Sequence, residues 1–245
     1  MVLPSVLTDV QIESARSRFE PLFNGEFETG VQPDEWNWRA GRDDAALTRQ
    51  ICNAWKSDRS IASIVLREDI GAACAQMRDW PGARLNQDNV IWKPPGTKAL
   101  GFHQDDSYQN WIVPSEMVTC WITLDDTTVD GGTIEYVRGS HLWTISQPIR
   151  QFHAPDDPLA DMKLAARVAG VTPELCPIEV NAGSAVLHHG ARGMVRVRIA
   201  VMRQGGRWLR IACRAMRYSM KQIPALYTVD IKKRVRSRWT IAFSR

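Results

Sequence analysis

The feature that most constrains the fold is a long series of short β-like runs between residues 84 and 188. Apolar runs of four to nine residues alternate with breaks at Pro, Gly and Asp, and proline cannot donate to a strand ladder. The predicted strands cover residues 84–92, 101–104, 117–124, 133–137, 177–180 and 184–188. Many short strands after a helical segment predict a mainly β fold, a β-sandwich or jelly roll with flanking helices.

Residues 1–80 carry helical rather than strand periodicity, and the β core begins at residue 84. Thr8 and Gln11 have the spacing of a capping box, followed by apolar residues at helical intervals up to Phe23. A second helix is predicted around residues 47–55 and a third over 61–77. Chemistry-bearing residues are not concentrated in these segments, so we predict that they pack against the sheet.

His103 and Asp105 are the candidate metal ligands. On an extended strand, residues two apart point to the same face, so an imidazole nitrogen and a carboxylate oxygen converge there. Two legs of a 2-His-1-carboxylate iron site have this arrangement. The alternative is an ordinary surface pair, which a bare H-x-D does not exclude.

Charge divides the chain at residue 191. From Arg192 to the end there are 15 Lys and Arg residues and one acidic residue, Asp230, which leaves 16 basic and 26 acidic residues for 1–191. Charged residues are rarely distributed so unevenly within one compact domain, so the change in charge at residue 191 requires an explanation.

The sequence resembles the phytanoyl-CoA dioxygenase family over residues 1–191. The resemblance rests on the order N-x-I-W-K-P-P-G, F-H-Q-D, V-T-C-W-I-x-L-D-D, G-G-T-I-x-x-V-x-G-S-H and N-A-G-S-A-V-L-H-H-G. It implies a double-stranded β-helix (jelly roll, cupin-like) that binds Fe(II) and uses 2-oxoglutarate and O2 as co-substrates. The implied reaction oxidises 2-oxoglutarate to succinate and CO2 and hydroxylates a small organic substrate or an acyl-CoA.

By matching motifs, the resemblance makes His103 and Asp105 the first two iron ligands and places Asn89 and Trp121 at the 2-oxoglutarate pocket. A facial triad leaves three positions open for a bidentate keto acid and O2. No catalytic residue beyond these ligands is assigned.

After L-H-H-G the sequence departs from the family pattern. The family continues with a W-H-G-S-G-P-N-like segment, whose histidine is the third ligand, and then an R-R-S-L-like strand whose arginine binds 2-oxoglutarate. Here Met194 occupies the ligand position, and no histidine follows His189. His188 and His189 are interpreted as structural residues at a strand end, with His189 as the substitute third ligand.

The basic segment 192–245 is explained by a change of reading frame near residue 191. Permitted codons for residues 191–199, shifted by one base, spell T-W-H-G-S-G-P-N, and those for 204–213 can yield R-R-S-L-A-A-H-C. An out-of-frame segment was never selected for charge balance, which accounts for the division. We therefore predict little activity and impaired folding, because the closing strands would be replaced.

Two other functions stay open. The basic C-terminal segment could be a nucleic-acid-binding arm, although it contains no known nucleic-acid module or regular spacing. A jelly roll that cannot bind iron could instead serve as a non-catalytic binding protein.

The sequence also predicts a cytoplasmic protein. No apolar run is long enough to span a bilayer, and the N-terminus lacks the pattern of a signal peptide. The five cysteines are scattered and without C-x-x-C spacing, as expected for reduced, mostly buried thiols. The expected partners are a small-molecule substrate and O2, without a membrane or nucleic acid.

Overall fold

Two antiparallel sheets form the body of the protein. The computed structural model describes residues 1–109, 111–112, 116–144, 156–191, 193–196 and 206–215. Within them, a seven-stranded and a four-stranded sheet are accompanied by four α-helices. The mainly β, jelly-roll fold class predicted from the sequence is confirmed.

The larger sheet has the strand order β1-β9-β6-β11-β4-β3-β2. Its strands are β1 (Val2–Leu3), β2 (Glu35–Trp36), β3 (Arg49–Cys52), β4 (Ala83–Lys93), β6 (Met117–Thr123), β9 (Ala185–His189) and β11 (Gly206–Ala215). The smaller sheet has the order β5-β10-β7-β8. Its strands are β5 (Leu100–Gln104), β7 (Glu135–Val137), β8 (Leu175–Pro177) and β10 (Gly193–Arg196).

The helices are α1 (Asp9–Phe23), α2 (Arg59–Val65), α3 (Glu68–Met77) and α4 (Ala160–Ala169). The first three contribute to the main core against one face of the larger sheet, which we call the helix-side face. Alternation along each strand gives this face residues such as Val90, Cys120 and Leu209. The opposite, inner face carries Trp121 and Trp208, which pack with Tyr136 of the smaller sheet.

The first predicted helix is confirmed, including its capping box. Thr8 Oγ1 accepts from Gln11 N at 3.3 Å, and Gln11 Oε1 accepts from Thr8 N at 3.0 Å. These bonds satisfy N–H groups that the first helical turn leaves without intrahelical partners.

The prediction of a helix around residues 47–55 is wrong. Residues Arg49–Cys52 form β3, paired with β4, and only a short 3-10 helix, Ala54–Lys56, follows. The apolar spacing that indicated a helix belongs instead to a strand and a turn whose conformation depends on the pairing with β4. The predicted third helix is divided into α2 and α3, with its break at Leu66 and Arg67.

The described residues beyond 191 belong to both sheets. Strand β10 lies between β5 and β7, and β11 lies between β6 and β4, paired on both sides along its length. Residues 192–245 were predicted to be unlike the family, and most of them lie outside the described residues. Whether the reading frame changes at 191 stays a prediction.

Each of the five cysteines is a free thiol, and all except the half-buried Cys176 are buried. Among the described residues, no helix combines the length and apolar character that crossing a bilayer requires.

Candidate metal centre

Two rows of side chains on the inner face of the larger sheet lead to the candidate centre. In one row, Arg210 of β11 lies opposite Trp121 of β6 and Asn89 of β4. In the next row, two residues along β6, Thr119 lies opposite His188 of β9. Residues two apart share a face, so both rows point toward the smaller sheet, where His103 lies near the end of β5.

His103 and Asp105 converge as the H-x-D spacing predicted. His103 is the penultimate residue of β5, and Asp105 begins the 3-10 helix Asp105–Tyr108. The His103 Nε2 and Asp105 Oδ1 atoms are 3.7 Å apart, and the side chains are only 9% and 4% exposed. Both are buried, which argues against the alternative of a surface pair.

The His103 ring is oriented for ligation. Its Nδ1 lies 3.0 Å from the carbonyl oxygen of Gly101, which can only accept. In the neutral ring Nδ1 therefore carries the proton, and the lone pair is on Nε2, the atom that faces Asp105. In a metal-binding histidine, the ring nitrogen that does not bind the metal usually donates its N–H to a carbonyl or carboxylate oxygen.

The other carboxylate oxygen of Asp105 accepts from three side chains. Thr119 Oγ1 donates at 2.6 Å, His188 Nε2 lies at 3.2 Å, and Arg210 approaches with Nη2 at 2.9 Å and Nε at 3.1 Å. Burial by itself raises the pKa of Asp105, but the positive and hydrogen-bonding groups outweigh it and hold that pKa well below its usual value. Asp105 is therefore a buried anion whose charge Arg210 neutralises.

His188 reaches the centre, whereas His189 has other contacts. The Tyr136 hydroxyl lies 2.7 Å from His188 Nδ1, so this bond and the one to Asp105 orient the ring at both nitrogens. His189 Nδ1 accepts from the backbone N–H of Ala191 at 3.0 Å, and its ring faces His141. The choice of His189 as substitute ligand therefore needs correction, because successive residues of a strand point to opposite faces.

Met194 lies directly opposite His103. Their Cα atoms are register partners across β10 and β5, and the Met194 side chain is buried in the cluster that contains Trp121 and Tyr136. The sequence predicted that Met194 occupies the third-ligand position, and this placement beside His103 is consistent with it. A thioether is a soft donor and is unsuited to Fe(II) in an imidazole and carboxylate site.

Asn89 and Trp121 border the centre on either side of Arg210. Asn89 is buried, and its Oδ1 accepts from Gln50 Nε2 at 2.8 Å and from the Cys52 thiol at 2.9 Å. Trp121 is buried, with its ring against Trp208. The assignment of Asn89 and Trp121 to a 2-oxoglutarate pocket stays a prediction. The resemblance did not include Arg210, which nothing in the motifs marks.

The family with the description Phytanoyl-CoA dioxygenase (PhyH) matches residues 1–191. The chain belongs to this family. The match includes His103, Asp105, Asn89, Trp121 and both histidines of β9, and it ends where the charge division begins. No curated protein sequence matches the chain.

Solved structures of other proteins share the fold of this chain. The non-heme α-ketoglutarate-dependent carbocyclase SnoK from nogalamycin biosynthesis is 21% identical, with a TM-score of 0.62 over 88% of this chain and 79% of SnoK. HygX from Streptomyces hygroscopicus, solved with nickel and 2-oxoglutarate, is 17% identical, with a TM-score of 0.57 over 95% and 89%. AviO1 from Streptomyces viridochromogenes Tue57 is 20% identical, with a TM-score of 0.60 over 90% of each chain.

Among the residues that the structure describes, the donors do not form a 2-His-1-carboxylate set, because the Nε2 atom of His188 is hydrogen-bonded to Asp105. Within the described ranges, no group of three or more His, Cys, Asp and Glu side chains is arranged to hold a metal ion. His103 and Asp105 fit such an ion, but Met194 supplies no nitrogen and Arg210 has already neutralised the carboxylate. The family fold is present, and the described residues include two of the three donor side chains that the family resemblance implies.

Proposed function

We propose that this chain has the scaffold of an Fe(II)- and 2-oxoglutarate-dependent oxygenase and that its iron centre is impaired. The observation that carries the proposal is the buried pair His103 and Asp105, with the His103 Nδ1 held by Gly101 O and Nε2 turned toward the carboxylate. The metal would supply the oxidising chemistry, and these two residues would hold it on two sides. The reaction of the intact lineage is hydroxylation of a small organic molecule or an acyl-CoA.

The row of side chains formed by Asn89, Arg210 and Trp121 supports a binding site for 2-oxoglutarate. Asn89 offers an amide and Trp121 an indole ring beside Arg210, and both side chains are buried. An amide and an aromatic wall are the groups that orient a small acid in a mostly apolar pocket. The carboxylates of 2-oxoglutarate also need a cation. Arg210, which lies between Asn89 and Trp121, forms an ion pair with Asp105 instead.

A frame change near residue 191 explains the impairment. The family match ends at residue 191, and the shifted codons would place the histidine of W-H-G at position 194, opposite His103. The same shift would replace the sequence of β11 and remove Arg210. One change at the DNA level thus accounts for both the missing ligand and the additional cation.

The first experiment is to sequence the gene across the codons for residues 186–197. If restoring one base yields the H-G-S-G-P-N segment, the restored chain is expected to bind Fe(II) and to consume 2-oxoglutarate with O2, while the chain as written does neither. A coding sequence that permits no such reading would contradict the frame change. Turnover of the chain as written at the rate of the restored chain would contradict the impairment.

The binding-protein alternative is favoured by the contact between Arg210 and Asp105, because a neutralised carboxylate leaves a folded jelly roll without its metal chemistry. The described part of the basic segment gives no support to a nucleic-acid-binding arm. Arg207 pairs with Asp125 at 3.2 Å, and Arg210 is directed into the centre. The remainder of that arm, residues 216–245, lies outside the described residues. A cytoplasmic location stays part of the proposal.

A further inference from the structure

We propose that Arg210 is an internal cation that closes the centre, so that a metal ion must displace its guanidinium before it can bind Asp105. This inference rests on the proposed function, because it presumes that His103 and Asp105 descend from a metal site. It adds a second obstacle to metal binding, separate from the missing third ligand.

The contact has the geometry of a strong ion pair. Arg210 Nη2 and Nε both reach the same oxygen, Asp105 Oδ2, at 2.9 and 3.1 Å. The side chains are 16% and 4% exposed, so water screens the attraction poorly. A charge-assisted contact in such surroundings is stronger than its surface counterpart.

The backbone holds Arg210 in this position. Strand β11 pairs with β6 on one side and with β4 on the other, and Arg210 has a partner in each, Trp121 and Asn89. The two ladders fix the direction of the Cα–Cβ bond, so the Arg210 side chain starts from the inner face and only its torsions can move the guanidinium away from Asp105.

A third ligand alone would consequently not restore metal binding. Met194 is the natural place for one, since its Cα is the register partner of His103 and its side chain is buried on the inward-facing cluster. Met194→His would add an imidazole beside His103, while Arg210 would still neutralise Asp105 and repel a divalent cation. Recovery should require both changes.

The test measures Co(II) binding by calorimetry and visible absorption for the full chain, Met194→His, Arg210→Gln and the double variant. Glutamine keeps an N–H that can donate to Asp105 and removes the charge. Each single variant is expected to tighten binding by less than about tenfold, and the double variant by about 100-fold, the range over which ligand environments act. Circular dichroism and thermal unfolding establish that each variant folds.

Two variants serve as matched controls. Arg207→Gln removes an arginine of the same strand whose partner is Asp125, and combined with Met194→His it should bind Co(II) like Met194→His alone. Arg210→Lys keeps the positive charge, so its combination with Met194→His should also stay weak.

The outcomes separate this inference from the proposed function. Binding by Met194→His alone that equals the double variant would overturn the role of Arg210, as would tight binding with Lys at position 210. If the frame-restored chain binds Co(II) and the folded double variant does not, the inference fails and the proposed function stands. If neither binds, the proposed function itself fails.

Discussion

Two buried aspartates lie against opposite faces of the larger sheet, and their surroundings have opposite effects on the ionisation of the carboxyl group. Asp105 reaches the inner face, where Arg210 and His188 favour its ionised form. Asp88 belongs to β4 on the helix side and accepts only backbone N–H groups, from Ala54 and Trp55, each at 3.2 Å. Burial raises the pKa of Asp88 to about 7 despite these two bonds.

The groups around the two carboxylates distinguish a candidate functional residue, Asp105, from a helix-capping residue, Asp88. A carboxylate surrounded by a cation and polar hydrogens is an electrostatic centre, whereas one that holds only the first turn of the 3-10 helix Ala54–Lys56 is a capping group. Burial alone therefore does not identify a functional carboxylate. The charged and polar side chains that contact the carboxylate identify it.

Removing the charge of Asp105 should have the largest effect on stability. Asp105→Asn leaves the Arg210 guanidinium buried without its anion, and breaking such a pair costs about 3–5 kcal/mol. Urea denaturation at pH 7.5 measures the loss. In Asp105→Asn/Arg210→Met the unpaired cation is gone, so much of the stability should return; a double variant weaker than the single one would show that the pair is not coupled.

Asp88 should make the free energy of unfolding depend on pH in the opposite sense to a paired carboxylate. Its folded pKa of about 7 lies above its unfolded value, so the folded state binds the proton more tightly. The favourable contribution is complete below about pH 4 and is lost as the pH rises through about 7. Asp88→Asn should match the parent near pH 4 and exceed it by up to about 4 kcal/mol at pH 8.

Asp34 supplies the control for this pH profile. Its pKa is lowered, chiefly by hydrogen bonds from Lys56 and Asn53, so its contribution is present at neutral pH and is lost as the pH falls. Asp34→Asn should therefore reduce stability at neutral pH relative to acid. A difference between Asp88→Asn and the parent that is constant from pH 4 to 8 would refute the assignment for Asp88.

Loss of the Thr119 hydroxyl should have a smaller effect on the centre. Thr119→Val removes the 2.6 Å hydrogen bond to Asp105 and keeps the shape of the side chain. A hydrogen bond to a charged group contributes about 1.5–3 kcal/mol, so the unfolding free energy should fall by about 2 kcal/mol. Thr119→Ser keeps the hydroxyl and should lose less; equal losses would assign the effect to packing.

Tyr136→Phe is expected to be the mildest change. It removes the 2.7 Å bond to His188 Nδ1 while the ring keeps its contact with the imidazole. The expected loss is about 1 kcal/mol, typical of one neutral hydrogen bond. Nuclear magnetic resonance should report a shifted Nδ1 signal of the His188 ring, while Nε2 keeps the proton that it donates to Asp105. An unchanged Nδ1 signal would contradict the orienting role of Tyr136.

Local patterns were sufficient where neighbouring residues decide the structure. The capping box of Thr8 and Gln11 depends on residues three apart, and the convergence of His103 with Asp105 depends on residues two apart. Strand runs bounded by Pro, Gly and Asp also marked β4, β5, β6 and β9 to within a few residues. The family resemblance added the expected iron and 2-oxoglutarate chemistry.

Local sequence patterns gave wrong or incomplete predictions where the conformation depends on a residue distant in sequence. Residues Arg49–Cys52 form a strand because β4 lies beside them. Helix α4 was not predicted, although Met162 and Ala166 lie four residues apart on its buried face. His188 and His189 are alike in sequence, and only the pairing of β9 with β6 directs the first of them to Asp105.

The sequence by itself determined the fold class, the family and the pair His103 and Asp105, because short-range periodicity and motif order carry that information. The tertiary structure alone decided what surrounds the pair. Met194 meets His103 across two strands, and Arg210 reaches Asp105 from 105 residues away along the chain. Contacts between residues so distant in sequence depend on strand order and register, which no local pattern encodes.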